Sequence, residues 1–361
     1  MAYDQPMRPA VHASWLPVLL LAGLAAPLAA QPVRMASTAF GETVEIEVRD
    51  LNHERARQAI EAAFRKLYEI GQLTDATSDD PGSVGRLNAR AVHEPQPVGR
   101  ELGELLRRSQ HFCLWSNGAY GPLGGVLARQ IESREATGAG ADAGAFRDAV
   151  LSARCDRLRV ALPGATPPPA EAAAGEPPPA AGDGGPYTVQ LAPGSQLDLR
   201  GWARGYAVDR ALEVLRQAGA GNALIETPKL RRAIGLGPEG KGWLVVLSFP
   251  GVEEPVSEIW LRDQALAVAT PLARGPADPH YVDQRTGRPA KGVVASVAVS
   301  ELAVDAEALA TTLAIIGLFE GKMRLSALKP PPAALWLLGE GETPPVEAEF
   351  RWTELPKHRR R

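Results

Sequence analysis

Residues Thr43-Val44-Glu45-Ile46-Glu47-Val48 alternate polar and apolar, which predicts a half-buried strand. The period then changes: Ala56, Ala59, Ile60, Ala63, Phe64 and Leu67 recur at helical spacing and predict an amphipathic helix. Residues 75–82 are polar and read as a loop. A second helix is expected over about 100–115, stopped by Asn117-Gly118. Farther on, Leu197-Asp198-Leu199 reads as a strand that ends in the turn Gly201-Trp202-Ala203-Arg204-Gly205-Tyr206. A helix follows with Val208, Ala211, Leu212 and Leu215 on one face and Gly219 past its end. Strands are expected at 223–226, 243–249, 259–261, 265–269 and 293–299, the last leading to a helix that begins near Val304 or Asp305. No repeat is visible. Few strand–helix–strand units alternate, so the fold class is read as α+β, with mainly antiparallel sheets and packed helices.

Composition changes that outline in two places. The chain has 361 residues, 45% hydrophobic and 22% charged, an ordinary globular balance. Its 32 prolines and 36 glycines are clustered. Residues 165–185 are almost all Pro, Ala, Gly and acid, and read as a disordered surface insertion, because they cannot bury enough apolar surface to order themselves. Residues 1–30 read as a signal peptide: Arg8 is basic, Trp15 to Leu28 is apolar, and Ala29-Ala30 offers a cleavage site before Gln31. The run falls short of the ~20 residues of a membrane span and contains Pro17 and Pro27. No cysteine precedes Cys113, which excludes a lipid-modified N-terminal cysteine. The expectation is an exported, periplasmic or otherwise extracytoplasmic soluble protein with one domain over 31–361 and no integral span after cleavage. The net charge of −3 gives no field that would recruit nucleic acid or an anionic membrane, and the basic end at His358 to Arg361 reads as solvated. Cys113 follows Phe112 in an apolar helical stretch and is expected to be a buried free thiol, with a pair to Cys155 as the alternative. Neither cysteine has metal-site spacing.

Three segments carry candidate chemistry. In the first, the chain from Leu197 to Asp209 runs through glycines into a helix, which exposes backbone N–H groups to an anion, although most such turns are only turns. In the second, His280 lies beside Asp283 and Arg285 in a turn-rich loop and could carry a proton near neutral pH; taken alone, a surface histidine is the plainer reading. In the third, Glu307 and Thr311 lie one helical turn apart and present two hard oxygens suited to Mg²⁺; taken alone, a helix-start acid and a buried threonine explain them.

Together and in order, these segments resemble the FAD:protein FMN transferase family. That family typically reads Leu-Asp-Leu-Gly-Gly-Ile-Ala-Lys-Gly-Tyr-Ala-Val-Asp, then His-Ile-Ile-Asp-Pro-Arg-Thr-Gly, then Ala-Asp-Ala-Leu-Ala-Thr. Echoes occur at Ser83-Val84-Gly85-Arg86-Leu87-Asn88, at Gly118-Ala119-Tyr120-Gly121-Pro122 and from Trp243 to Pro250, so the match spans most of the mature chain. The resemblance implies a T-fold-like architecture and transfer of FMN from FAD to a Ser or Thr of an acceptor protein, with Mg²⁺ bound and AMP released. It implies Mg²⁺ ligands at the Gly201 carbonyl, Glu307 and Thr311. Flavin contacts fall at Phe40, Ala119, Tyr120, Gly121, Asp198, Arg204 and Val282, and catalytic or loop-ordering roles at His280, Asp283 and Arg285.

The chain departs from the pattern at several points. Glu307 replaces aspartate, Gly121 replaces aspartate, Phe40 replaces methionine, and Asp79 stands where a tyrosine is usual. Pro271-Leu272 replaces Ser-Gly. The segment Glu226-Thr227-Pro228-Lys229-Leu230 stands where the family continues through Gly-Gly-Asp, and Arg200 replaces a turn glycine. On that alignment Arg200 and Lys229 are two cations bordering the pyrophosphate site. Two readings stay open: a working transferase, or a non-catalytic relative that binds flavin, another anion or a partner protein.

Overall fold

The computed structural model describes residues 31–137, 142–162, 187–249, 252–271, 281–339 and 345–358. The signal segment, the insertion at 165–185, Pro250 and His280 lie outside the described residues. Fifteen strands and seven α-helices are defined among them. The main sheet has eight strands, which in chain order are β1 (Val33–Ala39), β2 (Glu42–Val48), β6 (Ala223–Glu226), β7 (Leu230–Ile234), β10 (Ala265–Ala269), β13 (Val293–Ser300), β14 (Ala333–Leu338) and β15 (Val346–Phe350). They are neighbours in that order and every pairing is antiparallel.

Both faces of the central strands are covered. On β13, Val293, Ala295, Val297 and Val299 alternate with Ser296 and Ala298. The odd positions from Ala295 to Val299 pack against the ribbon β8 (Trp243–Leu247) and β9 (Ser257–Leu261), among Trp243, Val245, Ile259 and Leu261. The even positions face the helix α7 (Ala303–Leu325), and the Ser296 hydroxyl donates to the Ala310 carbonyl at 2.6 Å. The helices α1 (His53–Thr74) and α6 (Ala203–Gln217) pack on each other and complete that layer with α7. A smaller sheet, β3 (Gln96–Val98), β5 (Tyr187–Leu191) and β4 (Leu158–Ala161), packs on α3 (Arg100–Trp115). The remaining elements are α2 (Val84–Arg90), α4 (Gly125–Thr137), α5 (Ala143–Ser152) and the hairpin β11 (Val282–Asp283) with β12 (Arg288–Pro289). The α+β, mainly antiparallel expectation holds.

Two expectations are corrected. Residues 197–199 form no strand: Leu197 and Leu199 are buried like alternate strand residues, but the backbone of Leu197 is paired by a side chain, that of Asn88. Cys113 is not a free thiol but is disulfide-bonded to Cys155. The last turn of α3 places Cys113 on its buried side, and the 3₁₀ turn after α5 brings Cys155 over it with Cα atoms 5.8 Å apart, inside the range a disulfide spans. Asn117 and Gly118 end α3 as expected, both at positive φ (55° and 81°).

Candidate functional site

The site begins where α2 grips the irregular segment before α6. Ser83 caps α2 by accepting from the Arg86 N–H at 3.2 Å. One turn on, the Asn88 amide donates to the Leu197 carbonyl at 3.1 Å and its oxygen accepts from the Leu197 N–H at 2.7 Å. With Leu197 and Leu199 pinned in the core, Asp198 between them faces the other way. Its backbone N–H donates to the Pro122 carbonyl at 2.8 Å, which ties in the loop that carries Ala119, Tyr120 and Gly121. Its carboxylate accepts from the Arg200 N–H at 3.1 Å and from the Arg200 guanidinium at 2.6 to 3.1 Å. The hydrogen bonds to Asp198 raise the pKa of Arg200 and outweigh the opposing effect of burial.

Gly201 is required by a close approach. A Cβ there would lie 1.5 Å from the Tyr120 hydroxyl, and the Tyr120 ring is stacked on Trp202 with centroids 4.5 Å apart. Burial, followed by the negative charges of Asp198 and Glu307, pushes the Tyr120 phenol well above its ordinary pKa. Tyr120, Gly121, Asp198 and Gly201 come together with Trp202 and Gln284 around a crevice of about 20 Å³, room for a water-sized group rather than an isoalloxazine. Gln284, not singled out from sequence, shapes its wall: its N–H donates to the Ala119 carbonyl and its amide to the Gly121 carbonyl, each at 3.0 Å. A Cβ at Gly121 would lie 2.3 Å from the Cys113 sulfur, so the disulfide fills the space a side chain would need there.

The first turn of α6 adds a buried charge cluster. Gly205 lets α7 approach, since a Cβ would meet the Ala303 carbonyl oxygen at 2.6 Å, and its N–H donates to Glu307 Oε2 at 2.7 Å. Arg204 spans two carboxylates, with Nη1 2.9 Å from Glu42 Oε1 and Nη2 paired with Glu307 Oε1. Burial opposes the charge on Arg204, but Glu307 and Glu42 outweigh it and its pKa rises. Glu307 is only 3% exposed, and its Oε1 has the ion pair but no hydrogen bond among the described residues. Thr311 is buried one turn along α7, as its spacing predicted. Asp209, the acid of the Ala207-Val208-Asp209 motif, caps α7 by accepting from the N–H groups of Ala303 (2.9 Å) and Val304 (3.0 Å). Burial raises the pKa of Asp209 against the pull of Arg232, 3.1 Å away, and of those N–H donors.

Other sequence-predicted residues lie apart from this crevice. Phe40 sits at the β1–β2 turn with positive φ (54°), its ring within contact of a Cβ built at Gly71 of α1. Glu42, two residues on, is what links that turn to the site. Val282 packs with Leu127, Ile131 and Ala149. Asp283 accepts from the Arg285 guanidinium at 2.8 to 3.1 Å, and Arg285 reaches Glu320 of α7 at 2.9 and 3.1 Å. That network ties the loop to the helix. The two cations expected at the pyrophosphate have protein partners: Arg200 holds Asp198, and Lys229 donates to Thr270 at 2.9 Å from a tight β6–β7 turn. No group of three His, Cys, Asp or Glu side chains suited to a metal occurs among the described residues.

The chain is similar to known proteins in sequence and in fold. A Treponema pallidum protein named FAD:protein FMN transferase is 29% identical over 276 residues, covering 72% of this chain and 71% of that protein. One of the same name from Rhodobacter capsulatus is 28% identical over 353 residues, covering 93% of this chain and 62% of that protein. In fold, the chain resembles the apo crystal structure of Pseudomonas stutzeri flavinyl transferase ApbE, with TM-score 0.72, 18% identity and coverage of 90% and 96%. The sequence model of the ApbE family matches residues 40–336, and the chain belongs to that family.

Proposed function

We propose that this chain is an FAD:protein FMN transferase acting outside the cytoplasm. The observation that carries the reading is Glu307, a buried carboxylate held at the N-terminus of α6 beside the crevice formed by Tyr120, Asp198 and Gly201. The donor chemistry fits Mg²⁺. The Glu307 carboxylate, the Thr311 hydroxyl and the Gly201 carbonyl are hard oxygens, and Glu307 Oε1 is buried with the Arg204 ion pair but no hydrogen bond among the described residues. The charges point the same way: Glu42, Arg204 and Glu307 sum to −1, which disfavours a pyrophosphate until a dication joins them. Bound there, Mg²⁺ would neutralise phosphate charge; the protein's own part is to position and to exclude water.

In the proposed reaction the hydroxyl oxygen of an acceptor Ser or Thr attacks the phosphorus of the FMN half of FAD. The bond from that phosphorus to the bridging oxygen breaks, AMP leaves with that oxygen, and the hydroxyl proton is released. Asp283 and Arg285 act as positioning residues that anchor the 281–289 loop to α7, and His280, next to that loop in sequence, is proposed to handle the proton. The apolar run before Gln31 supports an extracytoplasmic location, as does the disulfide, which belongs in an oxidising compartment. No helix among the described residues is long and apolar enough to cross a membrane.

A second reading, flavin or nucleotide binding without transfer, is favoured by one observation: the Asp198 carboxylate is already clamped by Arg200. The test is purified chain with FAD, Mg²⁺ and a panel of Ser- and Thr-containing peptides, read by peptide mass and by AMP release. Transfer predicts FMN-bearing peptide and AMP in equal amounts. Measurable FAD binding with no AMP from any peptide would instead establish the binding-only reading.

A further inference from the structure

Arg204 has a role that the metal reading alone does not assign. Its guanidinium bridges Glu42 and Glu307, and it is the cation in contact with the carboxylate proposed for Mg²⁺. The other Glu307 oxygen is occupied by the Gly205 N–H at 2.7 Å. A dication at Glu307 would therefore meet a like charge already in place, and Glu307 Oε1 cannot give its full charge to both. Arg204 has a second holding point. Glu42 is 2.9 Å from Nη1 and is more exposed than Glu307, so the guanidinium stays paired when its hold on Glu307 is loosened. A further donor, Arg204 Nε, is buried with no hydrogen-bond partner among the described residues.

The residue types suit this arrangement. A planar guanidinium spans two carboxylates, whereas the lysine of the related motif is a point charge on a flexible stem. Glutamate in place of aspartate at 307 adds one methylene to the carboxylate that meets it.

We propose that Arg204 is a built-in counter-ion that competes with the metal for Glu307: it keeps the buried carboxylate neutralised in the empty site and releases it when the metal binds. The N–H groups that leave Glu307 then become donors for phosphate oxygens, which couples metal and nucleotide binding through one side chain. This rests on the reading of Glu307 as a Mg²⁺ ligand.

The experiment measures Mn²⁺ binding by electron paramagnetic resonance, and Mg²⁺ binding by calorimetry, without nucleotide. It uses the native chain, Arg204→Gln, Glu307→Gln and the double variant Arg204→Gln with Glu42→Gln. The double variant has the same net cluster charge as the native chain, −1, so a change in affinity reports release of Glu307 rather than bulk charge. The expected result is metal bound roughly tenfold or more tightly by the double variant and lost in Glu307→Gln. Glu307-dependent binding in the native chain that is no tighter in the double variant overturns the Arg204 proposal and leaves the metal reading standing. Absence of Glu307-dependent binding in every chain overturns both. If the glutamine variants fail to fold, Arg204→Lys carries the test. Its ammonium cannot span both carboxylates, so metal affinity rises severalfold, and an unchanged or lower affinity overturns the proposal.

Discussion

Gly201→Ala is the sharpest test of how the site is packed, because the contact it would make is closer than any structure tolerates. A Cβ at 201 would stand 1.5 Å from the Tyr120 hydroxyl oxygen, 2.8 Å from Cζ and 3.4 Å from Cε1. Tyr120 has little room to retreat, being buried and stacked on Trp202. Gly201 is not among the glycines with positive φ, so the cost is steric rather than backbone strain. Overpacking of this kind costs about 2–3 kcal/mol, at the upper end of what one added methyl does in a closed core. Tyr120→Phe removes the nearest atom and leaves the next at 2.8 Å, so it should relieve most of the clash. A double-mutant cycle by urea unfolding, monitored by tryptophan fluorescence, should therefore give a coupling energy of about 1–2 kcal/mol between the two sites. If the two substitutions add to within about 0.5 kcal/mol, the claimed approach of Tyr120 to the turn is wrong.

Asp209→Ala should destabilise the chain by about 3–5 kcal/mol in the same assay, because it uncaps α7 and strands Arg232, which is 3% exposed. Asp209→Asn, able to keep one cap, should cost less. Cys113→Ser with Cys155→Ser opens a loop of 42 residues, which corresponds to about 4 kcal/mol of lost chain-entropy stabilisation; equal denaturation midpoints for variant and native chains would contradict the bridge. Burial works to raise the pKa of Glu320, but the Arg285 and Arg324 side chains outweigh it and hold it below the ordinary 4.5. A depressed carboxylate contributes stability above its unfolded pKa and loses it as pH falls through the folded one. Acid should therefore loosen the tie between the 281–289 loop and α7, and Glu320→Gln should flatten the dependence of unfolding free energy on pH below about 4.5; an unchanged slope would refute that.

Much of the fold was legible because local periodicity and tertiary burial coincide in it. The helix expected over 100–115 is α3, and the strands at Ala223–Glu226 and Ala265–Ala269 have the expected bounds. Where burial is two-sided or partners are distant, the signal fails. The strand β14 reads Ala-Ala-Leu-Trp-Leu-Leu with no alternation, because both of its faces are covered, and a run of prolines precedes it. The pair β4 and β5 is split in sequence by the Pro/Ala/Gly-rich insertion. Leu197-Asp198-Leu199 carries a strand's alternation without a ladder, since one-sided burial of the leucines needs only the Asn88 side chain to hold the backbone. Glu42 was unreadable as a site residue because its partner Arg204 is 162 positions away. Cys155, 42 positions from Cys113, gave no local sign that the two would meet.

The glycine-turn motif, one of the three segments that carry the family resemblance, is largely a packing motif. Gly201 yields to Tyr120, Gly205 yields to the backbone of α7, and Asp209 caps that helix. Each residue would be needed in a chain of this architecture whether or not it transferred a phosphoryl group. Their presence reports the fold, not the reaction. The proposed reaction would depend instead on where charge can be released: at Glu307, held by Arg204, and at Asp198, held by Arg200. At both, this chain closes an acid with an arginine. A transferase must open both clamps when FAD and metal arrive, whereas a binding-only protein can leave at least the Asp198 clamp shut. The state of those two ion pairs in the nucleotide-bound chain therefore separates the two functions more sharply than any further matching of motifs.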